Sequence, residues 1–121
     1  MSVPLVLIVE DEVGLLQLFA SLLNRLNCQT LAADGGNMAI DILYQQTPDL
    51  MILDLAMPDV DGFEVMRYVR SEPRLDAMKV LILTARPGLV SEIETMGIDC
   101  WVTKPVLPND FLDIVSSLLP G

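Results

Sequence analysis

The chain has 121 residues, the size of one domain, with 52% apolar residues and a net charge of −10. The excess of 17 acids over 7 bases argues against direct binding to nucleic acid, and no apolar run approaches the roughly 18 residues of a membrane span. The absence of histidine excludes most zinc sites, Ser-His or Cys-His catalysis, and histidine phosphorylation within this chain. The amino terminus lacks a signal-peptide pattern, so we expect one cytoplasmic domain, residues 1–121, without a membrane segment.

In the first half of the chain, strand patterns alternate with helical patterns. Leu5 to Val9 is an unbroken apolar run, typical of a strand buried on both faces, and a helical repeat follows it. Cys28 to Ala32 is less apolar and is expected to be an edge or near-edge strand. The next helix must end before Pro48, and Leu50 to Leu53 is another buried strand. The apolar positions that mark these two helices are Leu16, Phe19, Ala20, Leu23 and Leu26, then Ala39, Ile42 and Leu43.

The second half continues this alternation. A third helix is predicted to end near Pro73, and Val80 to Leu83 is the fourth strand. A short helix closed by Gly97 precedes the fifth strand, Cys100 to Thr103. The last helix starts near Pro108 or Asn109. The positions that mark these three helices are Phe63, Met66 and Val69 or Arg70, then Leu89, Ile93 and Met96, then Phe111, Val115 and Leu118. Five alternating strands and helices predict an α/β fold whose parallel sheet is covered on both faces.

Polar residues follow four of the predicted strands, at the edge where open parallel sheets bind ligands. Glu10 and Asp11 come after the first strand, and the third strand ends at Asp54. Thr84 follows the fourth strand, and Lys104 follows the fifth. The fold therefore brings carboxylates, a hydroxyl and an amine to one rim.

The charges at this rim indicate its chemistry. Two carboxylates about 4 Å apart repel by roughly 4 kcal/mol at an effective dielectric of about 20. Lys104 supplies one positive charge, and the remaining deficit calls for a divalent cation. Oxygen ligands without His or Cys favour Mg²⁺, for which Mn²⁺ could substitute. A carboxylate beside such an ion, with a lysine and a hydroxyl nearby, suits phosphoryl transfer with the carboxylate as nucleophile.

With these residues in place, the whole chain resembles the CheY-like receiver domains of two-component response regulators. The resemblance rests on Glu10-Asp11, on Asp54 within Leu53-Asp54-Leu55-Ala56-Met57-Pro58-Asp59-Val60-Asp61-Gly62, on Thr84-Ala85 and on Lys104-Pro105. Each motif alone is weak, but the ordered set is specific. It implies a flavodoxin-like (βα)5 fold, a doubly wound parallel five-stranded sheet in the order 2-1-3-4-5. That order puts Cys28 and Cys100 on opposite sides of the sheet, so no disulfide is expected.

The resemblance also implies roles for the rim residues. Asp54 would be the phosphoacceptor, and it would hold Mg²⁺ together with Asp11 and the backbone carbonyl of Ala56. Glu10 would act on the metal through water. Lys104 would bridge to the phosphoryl group. The phosphoryl donor would be the phosphohistidine of a sensor histidine kinase or phosphotransfer protein, and the domain would also autophosphorylate and slowly dephosphorylate.

The same resemblance implies a conformational switch. Thr84 would move toward the phosphoryl group, and Trp101 would swing inward, although the family usually has Tyr or Phe there. The bond between Lys104 and Pro105 would be cis. The surface of helix four, strand five and helix five would then change shape, and this change would alter its binding to a downstream protein or output domain. The same surface would also allow formation of a homodimer.

Plainer interpretations of these residues remain open. Glu10 and Asp11 could be acids at a helix amino terminus, Thr84 a cap, Lys104-Pro105 a turn and Trp101 an ordinary half-exposed aromatic.

Two other functions also use part of this set of residues. A haloacid-dehalogenase-type phosphatase shares the nucleophile, metal, hydroxyl and lysine, but it needs a second acid two residues after the nucleophile. A degenerate receiver would only bind other proteins.

Overall fold

The computed structural model describes residues 3–120. The strands are β1 (Leu5–Val9), β2 (Gln29–Ala33), β3 (Leu50–Asp54), β4 (Lys79–Thr84) and β5 (Cys100–Thr103). The α-helices are α1 (Val13–Leu23), α2 (Gly36–Gln45), α3 (Gly62–Ser71), α4 (Val90–Glu94) and α5 (Pro108–Leu118). Strands and helices alternate as predicted. Within residues 3–120, no helix has the length and apolar character needed to cross a membrane.

All five strands are parallel and lie in the order β2-β1-β3-β4-β5, which confirms the predicted fold. The register brings the carboxyl ends of neighbouring strands side by side. Val9 pairs with Leu53, and Thr84 pairs with Thr103. Because Cys28 precedes one edge strand and Cys100 begins the other, their thiols lie far apart and both are free, as expected.

Two apolar cores lie on the two faces of the sheet. Because side chains alternate along a strand, Leu7 and Val9 enter the core on one face, whereas Val6 and Ile8 enter the core on the other. The first core is covered by α2, α3 and α4, and the second by α1 and α5. These three-layer contacts hold the strands in the register that forms the rim.

The stacked rings of Phe19 and Phe111 join α1 to α5, with centroids 4.8 Å apart. Both side chains are buried. This contact fixes the position of α5 behind β5, and therefore the position of the loop that carries Lys104.

Some element bounds differ from the sequence expectations. Helix α1 ends at Leu23 rather than near Leu26, because the amides of Arg25 and Leu26 bond three residues back in tightened turns. Strand β2 starts one residue later than expected and runs to Ala33. Two 3₁₀ segments, Pro73–Leu75 and Pro87–Leu89, had no predicted counterpart. The fourth helix is shorter than predicted: it ends at Glu94 with Thr95 as its C-cap, so Leu89 and Met96 lie outside it, and Gly97, with a φ of 81°, lies in the turns that follow.

Candidate functional site

Three acids from two strands meet at the carboxyl end of the sheet. Glu10 follows β1 and is 1% exposed, and Asp54 closes β3 and is 4% exposed. Asp11 is half-buried beside them. Each offers a carboxylate oxygen, and these three oxygens lie within 4.8 Å of one another. The structure thus brings together the three acidic side chains that the sequence analysis assigned to a metal site.

Lys104 reaches this acid cluster from the end of the edge strand β5. Its Nζ pairs with Glu10 Oε1 and lies 3.6 Å from Asp54 Oδ1. The backbone holds the lysine in place, because its N–H donates to the carbonyl of Thr84 at 2.8 Å. The Lys104 side chain is only 15% exposed. One amine therefore links two buried carboxylates from separate strands.

This crowding changes the acidity of Asp54. Burial, followed by repulsion from Glu10, raises the pKa of the Asp54 carboxyl from 3.8 to about 7. A hydrogen bond with Asp11 adds to the rise. Lys104 and the backbone N–H of Ala56, which donates to Asp54 Oδ1 at 3.3 Å, oppose it. Lys104 does not offset burial and the charge of Glu10, so the ionised form of Asp54 is disfavoured and its pKa is raised.

The donor set fits a hard divalent cation. It consists of carboxylate oxygens, and two of its three side chains are nearly inaccessible to solvent. The positive charge of a divalent cation would offset the burial and the negative charge of Glu10, which together raise the pKa of Asp54. Oxygen donors of this kind suit Mg²⁺ or Mn²⁺ better than zinc or copper.

Thr84 lies at the end of β4 and is fully buried. Its hydroxyl accepts from the N–H of Arg86 at 2.8 Å and donates to the Arg86 carbonyl at 3.2 Å. These bonds close a local turn in the loop and do not cap a helix, because neither the 3₁₀ segment Pro87–Leu89 nor α4 has a side-chain cap hydrogen bond. Trp101 is 41% exposed, so its side chain lies outward in this conformation. The bond between Lys104 and Pro105 is cis.

Sequence reasoning missed two glycines that seat the loop between β3 and α3. A Cβ at Gly62 would lie 2.8 Å from Leu55 Cα, and a Cβ at Gly36 would lie 2.2 Å from the carbonyl oxygen of Val60. Only glycine permits these close approaches. Asp61 caps α3 by accepting from the Glu64 N–H at 3.0 Å. The sequence pair Asp61-Gly62 could have indicated the start of α3 and the tight turn before it. Nothing in the sequence near Gly36 indicated that this glycine packs against Val60.

Comparison with known proteins identifies the family. The profile of the response regulator receiver domain matches residues 6–116. The chain belongs to the response regulator receiver domain family. As a receiver domain it is a signalling domain with a phosphoacceptor function in two-component systems.

Individual relatives agree over nearly the full length of this receiver domain. The polar-differentiation response regulator DivK of Brucella anthropi is 28% identical over 116 residues, 94% of each chain. The chemotaxis protein CheY4 of Vibrio cholerae superposes with a TM-score of 0.90 at 26% identity, covering 98% of this chain and 100% of CheY4. The receiver domain of a signal transduction histidine kinase from Syntrophus aciditrophicus has a TM-score of 0.85 at 30% identity, covering 95% and 89% of the two chains.

Proposed function

We propose that this receiver domain accepts a phosphoryl group on Asp54 in a reaction that depends on Mg²⁺. The donor is the phosphohistidine of a sensor histidine kinase or phosphotransfer protein in the cytoplasm. The observation that carries the proposal is the meeting of Glu10, Asp11, Asp54 and Lys104 at one rim, where buried acids outnumber the single amine.

Asp11, Asp54 and the backbone carbonyl of Ala56 would hold Mg²⁺, with Mn²⁺ as a substitute, and Glu10 would act through water. When bound, the ion neutralises charge on the oxygens of the transferring phosphoryl group. The protein prepares this place by burying Glu10 and Asp54 and by setting their carboxylate oxygens close together. The ionised form of Asp54, which burial and Glu10 disfavour, would be favoured when a cation is bound.

In the transfer step, a carboxylate oxygen of Asp54 forms a bond to phosphorus. The phosphorus–nitrogen bond of the donor breaks, and its electron pair stays on the imidazole nitrogen. Lys104, 3.6 Å from Asp54 Oδ1, stabilises the negative charge of the incoming group. The product is an acyl phosphate, which water cleaves slowly to restore the carboxylate. The same residues would support autophosphorylation from a small phosphodonor.

A phosphoryl group on Asp54 would also compete with the backbone of Arg86 for the hydroxyl of Thr84. In the present structure this hydroxyl is bonded to the backbone of Arg86. A phosphoryl group on Asp54 offers stronger acceptor oxygens, so Thr84 would turn from Arg86 toward it. Trp101, now 41% exposed, would move inward in response. The surface formed by α4, β5 and α5 would then favour a downstream protein or output domain in one state over the other.

Intact-mass spectrometry after treatment with acetyl phosphate and MgCl₂ tests the proposal. We expect the native protein to gain one phosphoryl group and to lose the gain when EDTA replaces MgCl₂. Asp54→Ala should show no gain. Asp41→Ala, which removes an exposed acid on α2, should behave like the native protein. A native protein that stays unmodified would instead support a degenerate receiver that only binds partners.

A further inference from the structure

A groove lies between β5 and α5, on the surface formed by α4, β5 and α5. Its cavity volume is about 500 Å³. The apolar part of its lining includes Val102, Val106 and Ile114, which are half-buried, and Leu107, which is 68% exposed. This volume is within the usual range of binding pockets, and it can take a few large apolar side chains.

The charged part of the lining is entirely acidic. Asp110 and Asp113 of α5 both line the groove, and both are exposed. From residue 87 to residue 120, Lys104 is the sole base in the sequence, and it is bound to the acids of the rim. The acids of this segment are Glu92, Glu94, Asp99, Asp110 and Asp113. The groove therefore combines an apolar floor with a negatively charged lip, which is formed by Asp110 and Asp113.

Two arginines near this segment do not neutralise the lip. Arg70 lies on α3, where its guanidinium donates to the carbonyls of Met96 and Gly97 at 2.7 Å, and it does not line the groove. Arg86 lies in the loop after β4 and does not line the groove.

We propose that this groove docks a basic, amphipathic segment of another protein. The proposal rests on the proposed function, since the groove belongs to the surface that phosphorylation would change. Apolar side chains of the partner fill the floor between β5 and α5, and its lysines or arginines pair with Asp110 and Asp113. A second copy of this chain is a poor occupant, because a two-fold contact through this surface would place the same acids against each other. Nucleic acid is repelled by the same charges.

A synthetic amphipathic helix of leucine and lysine provides a direct probe. Binding is read from the fluorescence anisotropy of a dye on the peptide, because Trp101 alternates with Val102 along β5 and does not line the groove. We expect saturable binding of this peptide, and none of a matched leucine–glutamate peptide. Asp113→Lys should weaken binding roughly tenfold at low salt, and Leu107→Ser should weaken it several-fold. Asp41→Lys, the same charge change on exposed α2, should alter binding less than about twofold.

Equal weakening by Asp113→Lys and Asp41→Lys would show attraction to net charge alone and would overturn the proposal. Binding that survives Leu107→Ser unchanged would also overturn it, as would a dimer in sedimentation experiments that Leu107→Ser abolishes. Phosphoryl uptake is measured by mass on the same samples. A protein that is phosphorylated but does not bind the peptide refutes the groove alone, whereas one that binds the peptide but is never phosphorylated refutes the function at Asp54.

Discussion

Replacement of Asp54 by asparagine is expected to stabilise the folded domain at neutral pH when divalent cations are removed with EDTA. The carboxyl is 4% exposed and lies beside Glu10, so its ionised form is costly in the folded protein. Asparagine keeps the shape of the side chain without the charge. The acid thus lowers the stability of the fold that carries it.

The size and pH dependence of this effect follow from the pKa of Asp54. A rise from 3.8 to about 7 corresponds to about 4 kcal/mol of differential stability. The folded state binds the Asp54 proton more tightly than the unfolded state does. The stability that this proton adds is therefore fully present below about pH 4 and is lost as pH rises through about 7. The gain from Asp54→Asn should therefore be near zero at about pH 4 and approach 4 kcal/mol at about pH 8.

Urea unfolding in EDTA, followed by circular dichroism across this pH range, measures the difference between variant and native protein. Asp41→Asn, at an exposed position on α2, serves as the control and should change stability little at any pH. Addition of MgCl₂ should reduce the difference, because the cation binds the folded native site. A gain that is the same at every pH, or a variant less stable than the native protein at about pH 8, would refute the electrostatic reasoning.

Three further predictions concern the lysine and the packing of the site. Lys104→Met keeps the side-chain length but leaves Glu10 without its ion pair, and it should lower the rate of phosphoryl uptake from acetyl phosphate by roughly 100-fold or more in mass-spectrometric time courses. Phe111→Ala should cost about 3–5 kcal/mol in urea unfolding, since the ring is 1% exposed; a cost below about 1 kcal/mol would contradict its role in fixing α5. Gly62→Ala should cost about 1–3 kcal/mol in thermal or urea unfolding, because the new Cβ meets backbone at 2.8 Å. Gly14→Ala, at a position with open space around it, is the control for Gly62→Ala and should leave stability unchanged or raise it.

The fold could be predicted because its strands are marked by strong, short patterns. Apolar runs such as Leu5–Val9 and residues 50–53 fill both cores, and the helical repeats between them favour parallel pairing. The clustering of the acids followed from the same pattern, since the ends of neighbouring parallel strands meet. The strand order came from family resemblance, because periodicity does not say which strands are neighbours.

The details that escaped prediction depend on contacts between distant or irregular segments. The direct pairing of Lys104 with Glu10 depends on how far a flexible side chain on the edge strand reaches across the rim. The bonds of Thr84 to Arg86 depend on the conformation of a loop, and sequence could offer both a local cap and a phosphoryl contact for this hydroxyl. Gly36 matters through Val60, which is far along the chain and leaves no local pattern.

The central claim is that Asp54 takes the phosphoryl group, and reductive trapping locates that group directly. The protein is phosphorylated with acetyl phosphate and MgCl₂ and then reduced with borohydride, which converts an aspartyl phosphate to homoserine. Peptide mass spectrometry should find homoserine at position 54 of the native protein and aspartate there when EDTA replaces MgCl₂. Homoserine at position 11 with intact aspartate at 54, or no reduced residue after phosphorylation, would contradict the account.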